Sequence, residues 1–305
     1  MLICKRWNLE KVERIVKTVK SEENFDFSKH TTYGLGGKAK ICYYPENEEE
    51  AVAVYKYIKK CGEKFIILGK GSNVLPSDEF YDGAVISTKF LQGVETDGNC
   101  LRISSGTTVS TLLNYCVKNG IAGFEYLAGI PASIGGLVLM NGGINNKHIE
   151  SNILSVRLFD GKIREFSHKN CNFGNKHSTM SDINALILAV YAGFEREKPE
   201  SVEKNINYFL ELRRGQPKGK SCGCVFKNPE GASAGKLIDE AGLKGLAFGG
   251  ACVSCEHANF IINNGGRASD VRMLIRTVKS AVYEKFGVDL EEEVVYIGEF
   301  NELNC

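Results

Sequence analysis

The sequence predicts an α+β fold of three units. Three observations carry this prediction: a βαβ-like arrangement at the start of the chain, antiparallel hairpins in the middle, and a strand–helix–strand–helix–strand order at the end. A length of 305 residues accommodates two or three domains of ordinary size. We expect the units to comprise residues 1–88, 89–198 and 199–305.

The first unit is predicted from hydrophobic periodicity and its interruptions. It consists of an exposed leading helix and then alternating strands and a helix around a glycine-rich entry at residues 30–37. The predicted elements are a helix over 8–20, a strand near 39–44, a helix over 47–60, and strands over 65–68 and 83–87.

The second unit is marked by hairpin turns and a helix stop signal. Turns at residues 97–99 and 160–161 join short strands, and Gly120 follows a helical pattern over 108–119. The strands are expected over 93–95, 100–104, 154–160, 162–166 and 185–192. A charged helix over 197–214 leads to the third unit, with strands over 224–227, 258–263 and 293–298 and helices over 234–241 and 269–286.

The most informative stretch is Gly-Lys-Gly-Ser-Asn at residues 69–73, directly after an apolar strand. A dinucleotide fold of the Rossmann type needs a helix immediately after its glycine loop. Here residues 74–78 are predicted to be a loop instead. The backbone N–H groups of this segment are therefore expected to form a free-standing nest for an anion.

A second glycine-rich segment lies at residues 128–136, Ala-Gly-Ile-Pro-Ala-Ser-Ile-Gly-Gly, and is followed by Met140 and Asn141. We expect it to form a second anion nest, also without a helix behind it. Two such segments on separate strand-rich units predict one long diphosphate ligand that is held from both sides.

Composition narrows the class of protein. Hydrophobic residues make up 43% of the chain and the net charge is +1, which favours folded cores and argues against a dedicated nucleic-acid surface. No apolar run approaches the roughly 20 residues that span a bilayer. Residues 1–7 show no signal-peptide pattern. Eleven cysteines, an odd number spread along the chain, indicate reduced thiols in a cytoplasm.

Five motifs in one order carry a family resemblance. They are the two glycine-rich segments, Ser-x-Gly-x-Val-Phe-Lys-Asn-Pro at 221–229, His-Ala-Asn-Phe at 257–260 and Leu-Glu-Glu-Glu-Val at 290–294. This order resembles the UDP-N-acetylenolpyruvoylglucosamine reductase family, the flavoenzymes that make UDP-N-acetylmuramate for the bacterial cell wall. The resemblance covers roughly residues 28 to 300 and is similar to the shorter form of the family.

The resemblance implies a two-subdomain FAD-binding fold of the vanillyl-alcohol oxidase (PCMH) type, over residues 1–88 and 89–198. A C-terminal α+β substrate domain would follow over residues 199–305. FAD is the implied cofactor and NADPH the reducing co-substrate. The residues implied to bind FAD are Gly69, Lys70, Gly71, Ser72, Asn73, Val74, Leu75, Gly129, Ile130, Pro131, Ser133, Ile134, Gly135, Gly136 and Asn141.

The resemblance also implies the chemistry. NADPH gives a hydride to FAD, and the reduced flavin passes a hydride to an enolpyruvyl double bond, β to a carboxylate. Charge builds on that carboxylate, so the site needs cations or an acid aimed at it, and a general acid must protonate the other carbon. In the family an Arg, a Glu and a Ser do this, and they correspond here to Lys176, Glu293 and Cys224.

Several residues depart from the family pattern. A thiol at Cys224 has a lower reference pKa than a hydroxyl and similar reach, so we expect it to serve as the proton donor. Lys176 keeps the charge of the family's Arg but loses its planar fork, and Asn175 replaces a Tyr. Substrate binding is assigned to Arg213, Arg214, Lys227 and Asn228, although Gly215 replaces a usual Lys.

Two other interpretations stay open. One is a divergent flavin-binding paralogue with weak or altered activity. The other is a metal-binding scaffold or redox sensor, since Cys222-x-Cys224 and Cys252-x-x-Cys255 could form a Cys₄ site. We favour the reductase, with the UDP-sugar enolpyruvyl substrate as its partner and with no metal, nucleic acid or membrane. The oligomeric state stays undecided, and a monomer is plausible.

Overall fold

The computed structural model describes residues 9–144 and 147–300. Residues 1–7, which we examined for a signal peptide, lie outside these ranges. The chain divides into two compact units. Unit 1 comprises the described residues up to Glu23 together with Ile41–Lys70 and Asp82–Glu211, and unit 2 comprises Asn24–Lys40, Gly71–Tyr81 and the described residues from Leu212 onward. The division into 1–88, 89–198 and 199–305 stays a prediction.

Unit 1 contains helices α1–α7 and most of the strands. Strands β1, β2 and β5 each cross a unit boundary in sequence. The helices are α1 (Leu9–Thr18), α2 (Glu48–Cys61), α3 (Val109–Asn119), α4 (Ile134–Leu139), α5 (His168–Cys171), α6 (Thr179–Asp182) and α7 (Pro199–Leu212). The strands before α4 are β1 (Lys20–Asp26), β2 (Lys38–Tyr44), β3 (Phe65–Leu68), β4 (Val74–Pro76, which belongs to unit 2), β5 (Tyr81–Ser87), β6 (Val94–Asp97), β7 (Cys100–Ser104) and β8 (Ile121–Ala122). Those after α4 are β9 (Gly143–Ile144), β10 (Lys147–His148), β11 (Ile153–Phe159), β12 (Ile163–Ser167), β13 (Leu186–Gly193) and β14 (Glu195–Arg196).

Two sheets organise unit 1. One has the strand order β1-β2-β5-β3, with β3 and β5 parallel, and the other has the order β12-β11-β13-β7-β6 and is antiparallel. Alternating apolar residues of β13 and β7 face a core that α3 and α4 cover. A second core lies between α1, α2 and the first sheet.

Unit 2 is built around one long helix. It contains α8 (Ala234–Glu240), α9 (Ala268–Phe286), β15 (Ala247–Phe248), β16 (Ala251–Val253), β17 (Ile261–Asn263) and β18 (Val295–Ile297). Strands β15, β16 and β17 form an antiparallel sheet, and β18 pairs with β4 in parallel. The apolar face of α9 closes the core of this unit.

Helix ends follow the sequence signals. The Asn47 side chain accepts a hydrogen bond from the Glu50 amide at 3.0 Å and caps α2. Gly120 and Gly287 end α3 and α9 with φ of 61° and 69°, in the left-handed region that glycine adopts without strain. At the start of α9, the Asp78 carboxylate accepts hydrogen bonds from the amides of Ala268 and Ser269, both at 2.9 Å.

The α+β prediction is confirmed, and the helices over 47–60, 108–119 and 269–286 are found within a residue or two. Residues 74–76 were predicted to be a loop, which is wrong: they form β4, whose partner β18 is remote in sequence. The strand predicted over 224–227 is also wrong, because Cys224 and Phe226 make only isolated bridges, to Phe260 and Glu292. Strand β1 was missed because its residues are mostly polar and exposed. Across residues 9–144 and 147–300, the helices are all too short or too polar to cross a bilayer.

Candidate functional site

The two glycine-rich segments meet in unit 1. A Cβ built on Gly69 would collide with the hydroxyl oxygen of Ser133. Gly69 ends β3, while Ser133 precedes α4, so the contact joins two elements that lie 64 residues apart (133 − 69). A side chain at position 69 would have to displace the Ser133 side chain, so glycine permits this close approach. The predicted pairing of the two segments around one site is therefore supported by their proximity.

The first segment presents unused backbone donors. In the part of the chain that the structure describes, the amides of Lys70, Gly71 and Ser72 donate to no backbone carbonyl. Gly71 has a φ of 69°, and a Cβ there would collide with the His30 carbonyl oxygen. The Gly71 carbonyl accepts from the Thr32 amide at 3.0 Å. This segment has the unused N–H groups that an anion nest requires.

The second segment differs from the prediction. The expectation that no helix follows it is wrong, since Ser133 caps the N-terminus of α4. The amides of Ile134 and Gly135 donate to the carbonyls of Thr107 and Ser105 at 2.9 and 2.8 Å. Gly135 is needed because a Cβ would lie 2.9 Å from Ser105 Cβ. These amides hold the segment in place and are not part of a nest.

Ser105 provides an independent sign of a polar ligand near this segment. Its side-chain oxygen is buried, with the residue 1% exposed, and among the described residues it has no hydrogen-bond partner. A buried hydroxyl without a partner costs free energy unless a ligand or water satisfies it. Within unit 1, this hydroxyl and the unused Lys70 amide are donors that fit the polar groups of a diphosphate cofactor.

The other predicted flavin residues differ in exposure. Leu75 is completely buried in the core of unit 2, so its side chain has a packing role there. Val74 and Ile130 are half-buried, whereas Gly129 and Pro131 are exposed. Their contacts with a flavin stay predictions.

Asn141 holds a neighbouring turn in place. Its side-chain amide donates to the Gly174 carbonyl at 3.0 Å, and its side-chain oxygen accepts from the Glu150 amide at 3.3 Å. The Ser178 hydroxyl donates to the Leu139 carbonyl at 2.8 Å. The bonds made by Gly174 and Ser178 hold the two ends of the turn that carries Lys176 against the C-terminal end of α4.

Lys176 sits at the tip of that turn in an unusual conformation. Gly174 and His177 form an isolated antiparallel bridge, and Lys176 between them has a φ of 55°. The other non-glycine residues with positive φ, among those described, are all asparagines: Asn24, Asn141, Asn172 and Asn184. Asparagine tolerates this region far better than lysine does. A lysine kept in a strained position is an indication of function.

In unit 2, Cys224 and Glu293 lie on adjacent backbone segments. The Glu293 amide donates to the Val225 carbonyl at 2.7 Å, and the Lys227 amide donates to the Glu291 carbonyl at 2.8 Å. The segment that carries Cys224 is held on its other side by Asn259, whose backbone carbonyl accepts from the Val225 amide at 2.9 Å. The structure thus brings the two predicted catalytic residues of this unit together.

Asn259 fixes this segment with its side chain as well. The amide of Phe226 donates to Asn259 Oδ1 at 2.9 Å, and Asn259 Nδ2 donates to the Phe226 carbonyl at 2.8 Å. The nearby His257 ring accepts from the Asn259 amide through Nδ1 at 3.3 Å. Burial lowers the pKa of His257, so the neutral ring that this bond requires is favoured. His257 therefore has a structural role in this segment.

Sequence analysis missed the buried partners of this cluster. Burial, with smaller contributions from the nearby Glu293 and Cys224, raises the pKa of the Cys222 thiol to about 12, so Cys222 is a neutral thiol. The Tyr33 hydroxyl lies beside Cys222, without a hydrogen bond of good geometry, and burial raises its pKa well above its usual value. No local pattern marks Tyr33, because its role depends on contacts with remote residues.

Arg213 approaches Cys224. Its guanidinium is partly buried, which lowers its pKa, while the proximity of Cys224 opposes that shift. A cation beside the thiol can stabilise negative charge on a substrate or on the sulfur. Arg214 is exposed.

The remaining charged residues of the acidic run have structural partners. Lys227 pairs with Glu291 at 2.5 Å. Glu292 accepts two hydrogen bonds from Arg272, at 3.1 and 2.9 Å, and one from the Tyr296 hydroxyl at 2.5 Å. Asn228 accepts from the amide of Ala234 at 3.0 Å, at the start of α8. Glu292 thus has a structural role in this run, and Glu293 stays the predicted catalytic carboxyl.

The alternative Cys₄ site lacks structural support. Cys222 is buried, Cys252 is half-buried and Cys255 is exposed. Within residues 9–144 and 147–300, no group of three or more His, Cys, Asp or Glu side chains is arranged to hold a metal ion.

Comparison with known families gives two matches. Residues 39–167 match the model of the FAD binding domain. Residues 216–297 match the model of the UDP-N-acetylenolpyruvoylglucosamine reductase C-terminal domain. The two matches together span both units.

Individual relatives match over nearly the whole chain. The UDP-N-acetylenolpyruvoylglucosamine reductase of Caldicellulosiruptor saccharolyticus is 37% identical over 277 residues, which is 88% of this chain and 89% of the relative. That of Prochlorococcus marinus is 35% identical over 292 residues, 93% of this chain and all of the relative. The crystal structure of the Thermus caldophilus reductase is similar with a TM-score of 0.78 and 33% identity, covering 92% of this chain and 99% of that chain.

Proposed function

Since the chain belongs to the UDP-N-acetylenolpyruvoylglucosamine reductase family, we propose that it reduces the enolpyruvyl group of UDP-N-acetylglucosamine enolpyruvate to give UDP-N-acetylmuramate. FAD is its cofactor and NADPH its reductant, and the product is a peptidoglycan precursor. The observation that carries the proposal is the pairing of the Cys224 segment with Glu293 in unit 2.

The flavin half of the proposal rests on the two glycine-rich segments. When bound, FAD takes up a hydride from NADPH and supplies one to the enolpyruvyl double bond. The unused amides of Lys70, Gly71 and Ser72 would hold the diphosphate, and the Ser105 hydroxyl would donate to one of the polar groups of the cofactor. Gly69 would keep the two segments close enough for both to reach one ligand.

The proton half rests on unit 2. Hydride addition to one carbon of the double bond requires a proton at the other carbon. We assign that proton to the Cys224 thiol, whose sulfur then recovers a proton from solvent. Arg213 beside Cys224 would stabilise the transient thiolate. The Cys222 thiol is buried, which argues against this role for it.

Glu293 and Lys176 would serve the carboxylate of the substrate. Charge accumulates on that carboxylate as the hydride arrives, and a neutral Glu293 carboxyl would donate a hydrogen bond to it. Lys176 would supply a positive charge from its constrained turn. Arg213, Arg214, Lys227 and Asn228 stay predictions for the nucleotide. Because the nucleotide substrate and NADPH are found in the cytoplasm, we place the protein there.

The proposal predicts that the purified protein is yellow and that it consumes NADPH only when the enolpyruvyl nucleotide is present. The product is expected to be the lactyl ether, identified by its mass, which is higher than that of the substrate by two hydrogens. A yellow protein that oxidises NADPH at the same rate with and without the nucleotide would instead be a divergent paralogue. A colourless protein that contains stoichiometric zinc or iron would exclude a reductase.

A further inference from the structure

Asn73 connects the first glycine-rich segment to the strand that carries Glu293. Its side-chain amide nitrogen donates to the Glu293 carbonyl at 2.9 Å, across 220 positions of sequence. Its own carbonyl accepts from the Val295 amide at 3.0 Å. Immediately afterwards, Val74 pairs with Val295 in the parallel ladder of β4 and β18. Asn73 therefore bonds to the chain on both sides of Val294.

The Glu293 backbone is held from two directions. Its amide donates to the Val225 carbonyl at 2.7 Å, and its carbonyl accepts from the Asn73 side chain. The first bond ties Glu293 to the segment of Cys224, and the second ties it to the glycine-rich segment. Strand β18 begins at Val295, so Glu293 lies just outside the β4–β18 ladder.

We infer that Asn73 is a positioning residue, which fixes the Glu293 backbone and so couples the flavin-binding segment to the carboxyl that stabilises the substrate. The inference rests on the proposed function. The preceding residues, Lys70 to Ser72, are those with unused amides, so a bound anion would order the backbone up to Asn73. The hydrogen bond from the Asn73 side chain to the Glu293 carbonyl would then restrict the Glu293 backbone as well.

The residue type fits this role. A carbonyl oxygen needs a side-chain donor, which Asn supplies through its N–H₂ group, whereas a carboxylate of the same shape would repel it. Substitution by Asp keeps the volume of Asn73 but removes the donor, while substitution by Ala removes both. Misplacing a catalytic group by about 1 Å lowers the reaction rate by up to about 10²-fold.

The first test is kinetic and uses a double-mutant cycle. We expect Asn73→Ala and Asn73→Asp to slow reduction of the enolpyruvyl nucleotide by about 10–10²-fold per bound flavin. Most of this loss should be in kcat. In a Glu293→Gln background, Asn73→Ala should have almost no further effect, since the group that it positions is already gone. Val295→Ala is the matched control: this residue of β18 is 45% exposed, and its replacement should leave kcat unchanged.

The second test needs no turnover. Hydrogen exchange of the Glu293 and Val295 amides should slow when FAD is added to the apoprotein. In Asn73→Ala this slowing should be lost at Glu293, while Val295→Ala should retain it. This measurement also applies to a variant that binds FAD weakly, provided that FAD is added in excess.

The outcomes separate the inference from the proposed function. If Glu293→Gln is as active as the parent, the role of Glu293 in the proposed function is wrong, and the positioning role is overturned with it. If Glu293→Gln is impaired but Asn73→Ala multiplies the loss in the double variant, Asn73 acts elsewhere and the inference alone fails. Exchange at Glu293 that responds to FAD equally in the parent and in Asn73→Ala would also overturn the inference.

Discussion

Replacing Lys176 by glycine is expected to stabilise the protein and to inactivate it. Lys176 has a φ of 55°, a region that costs an ordinary residue roughly 1–2 kcal/mol. Glycine removes that cost but adds unfolded-state entropy of roughly 0.5–1 kcal/mol. The net gain in the free energy of unfolding should be about 0.5–1 kcal/mol.

The matched control is Lys176→Ala, which also lacks the ammonium but keeps the Cβ. Lys176→Gly should exceed it in stability by about 1 kcal/mol, as measured by urea denaturation of both variants. Both variants should lose about 10²–10³ in turnover, the usual contribution of one charge-stabilising donor. Lys176→Arg should keep or raise turnover, because a guanidinium grips a carboxylate with two hydrogen bonds.

Two results would refute this reasoning. Equal stability of the glycine and alanine variants would mean that the turn is not strained at Lys176. Turnover of Lys176→Gly equal to that of the parent would mean that another residue carries the positive charge.

Three further predictions concern Cys224, Gly136 and His257. Cys224→Ser should remain active, whereas Cys224→Ala should slow substrate reduction by about 10²–10⁴-fold and leave NADPH oxidation by bound flavin unchanged, as measured by stopped-flow. Equal slowing of both steps would show that Cys224 has a structural role. Gly136→Ala should keep or raise the stability of the apoprotein, because Gly136 lies in α4 and an added Cβ would meet only Ser133 Oγ, at 3.2 Å. The same variant should bind FAD more weakly in a titration, and unchanged affinity would show that the cofactor does not approach this backbone. Burial lowers the pKa of His257, so the unfolded chain binds a proton more readily, and the free energy of unfolding should fall as pH drops below about 6.5. If the free energy of unfolding depends on pH in the same way in His257→Gln, the effect belongs to another group.

The structure shows which glycine gives the clearer test of FAD binding. A Cβ at Gly71 would collide with the His30 carbonyl, and one at Gly135 would lie 2.9 Å from Ser105 Cβ. Such variants would be destabilised whether or not a cofactor binds there, so Gly136 is the better position for the test.

Features with a local cause were predictable. Asn47, Gly120 and Gly287 delimit helices by capping geometry that depends on neighbouring residues only. The apolar periodicity of α9 marked the core of unit 2 for the same reason.

Features with a remote cause were not predictable. Strand β4 exists because β18 pairs with it, and α4 forms despite two glycines because carbonyls of Ser105 and Thr107 accept its first amides. Tyr33 and Cys222 lie buried beside Cys224 and Glu293, and no local sequence pattern reports that burial. The family motifs marked Cys224 and Glu293, but the hydrogen bonds that position them became visible only in the structure.

Reoxidation of the reduced protein by the enolpyruvyl nucleotide tests the central claim most directly. The purified protein is bleached anaerobically with one equivalent of NADPH, and the nucleotide is then added while the flavin absorbance is followed. We expect rapid and stoichiometric return of the yellow colour with formation of UDP-N-acetylmuramate. A protein that bleaches with NADPH but stays colourless after addition of the nucleotide would contradict the assignment of this chain as a reductase of that substrate.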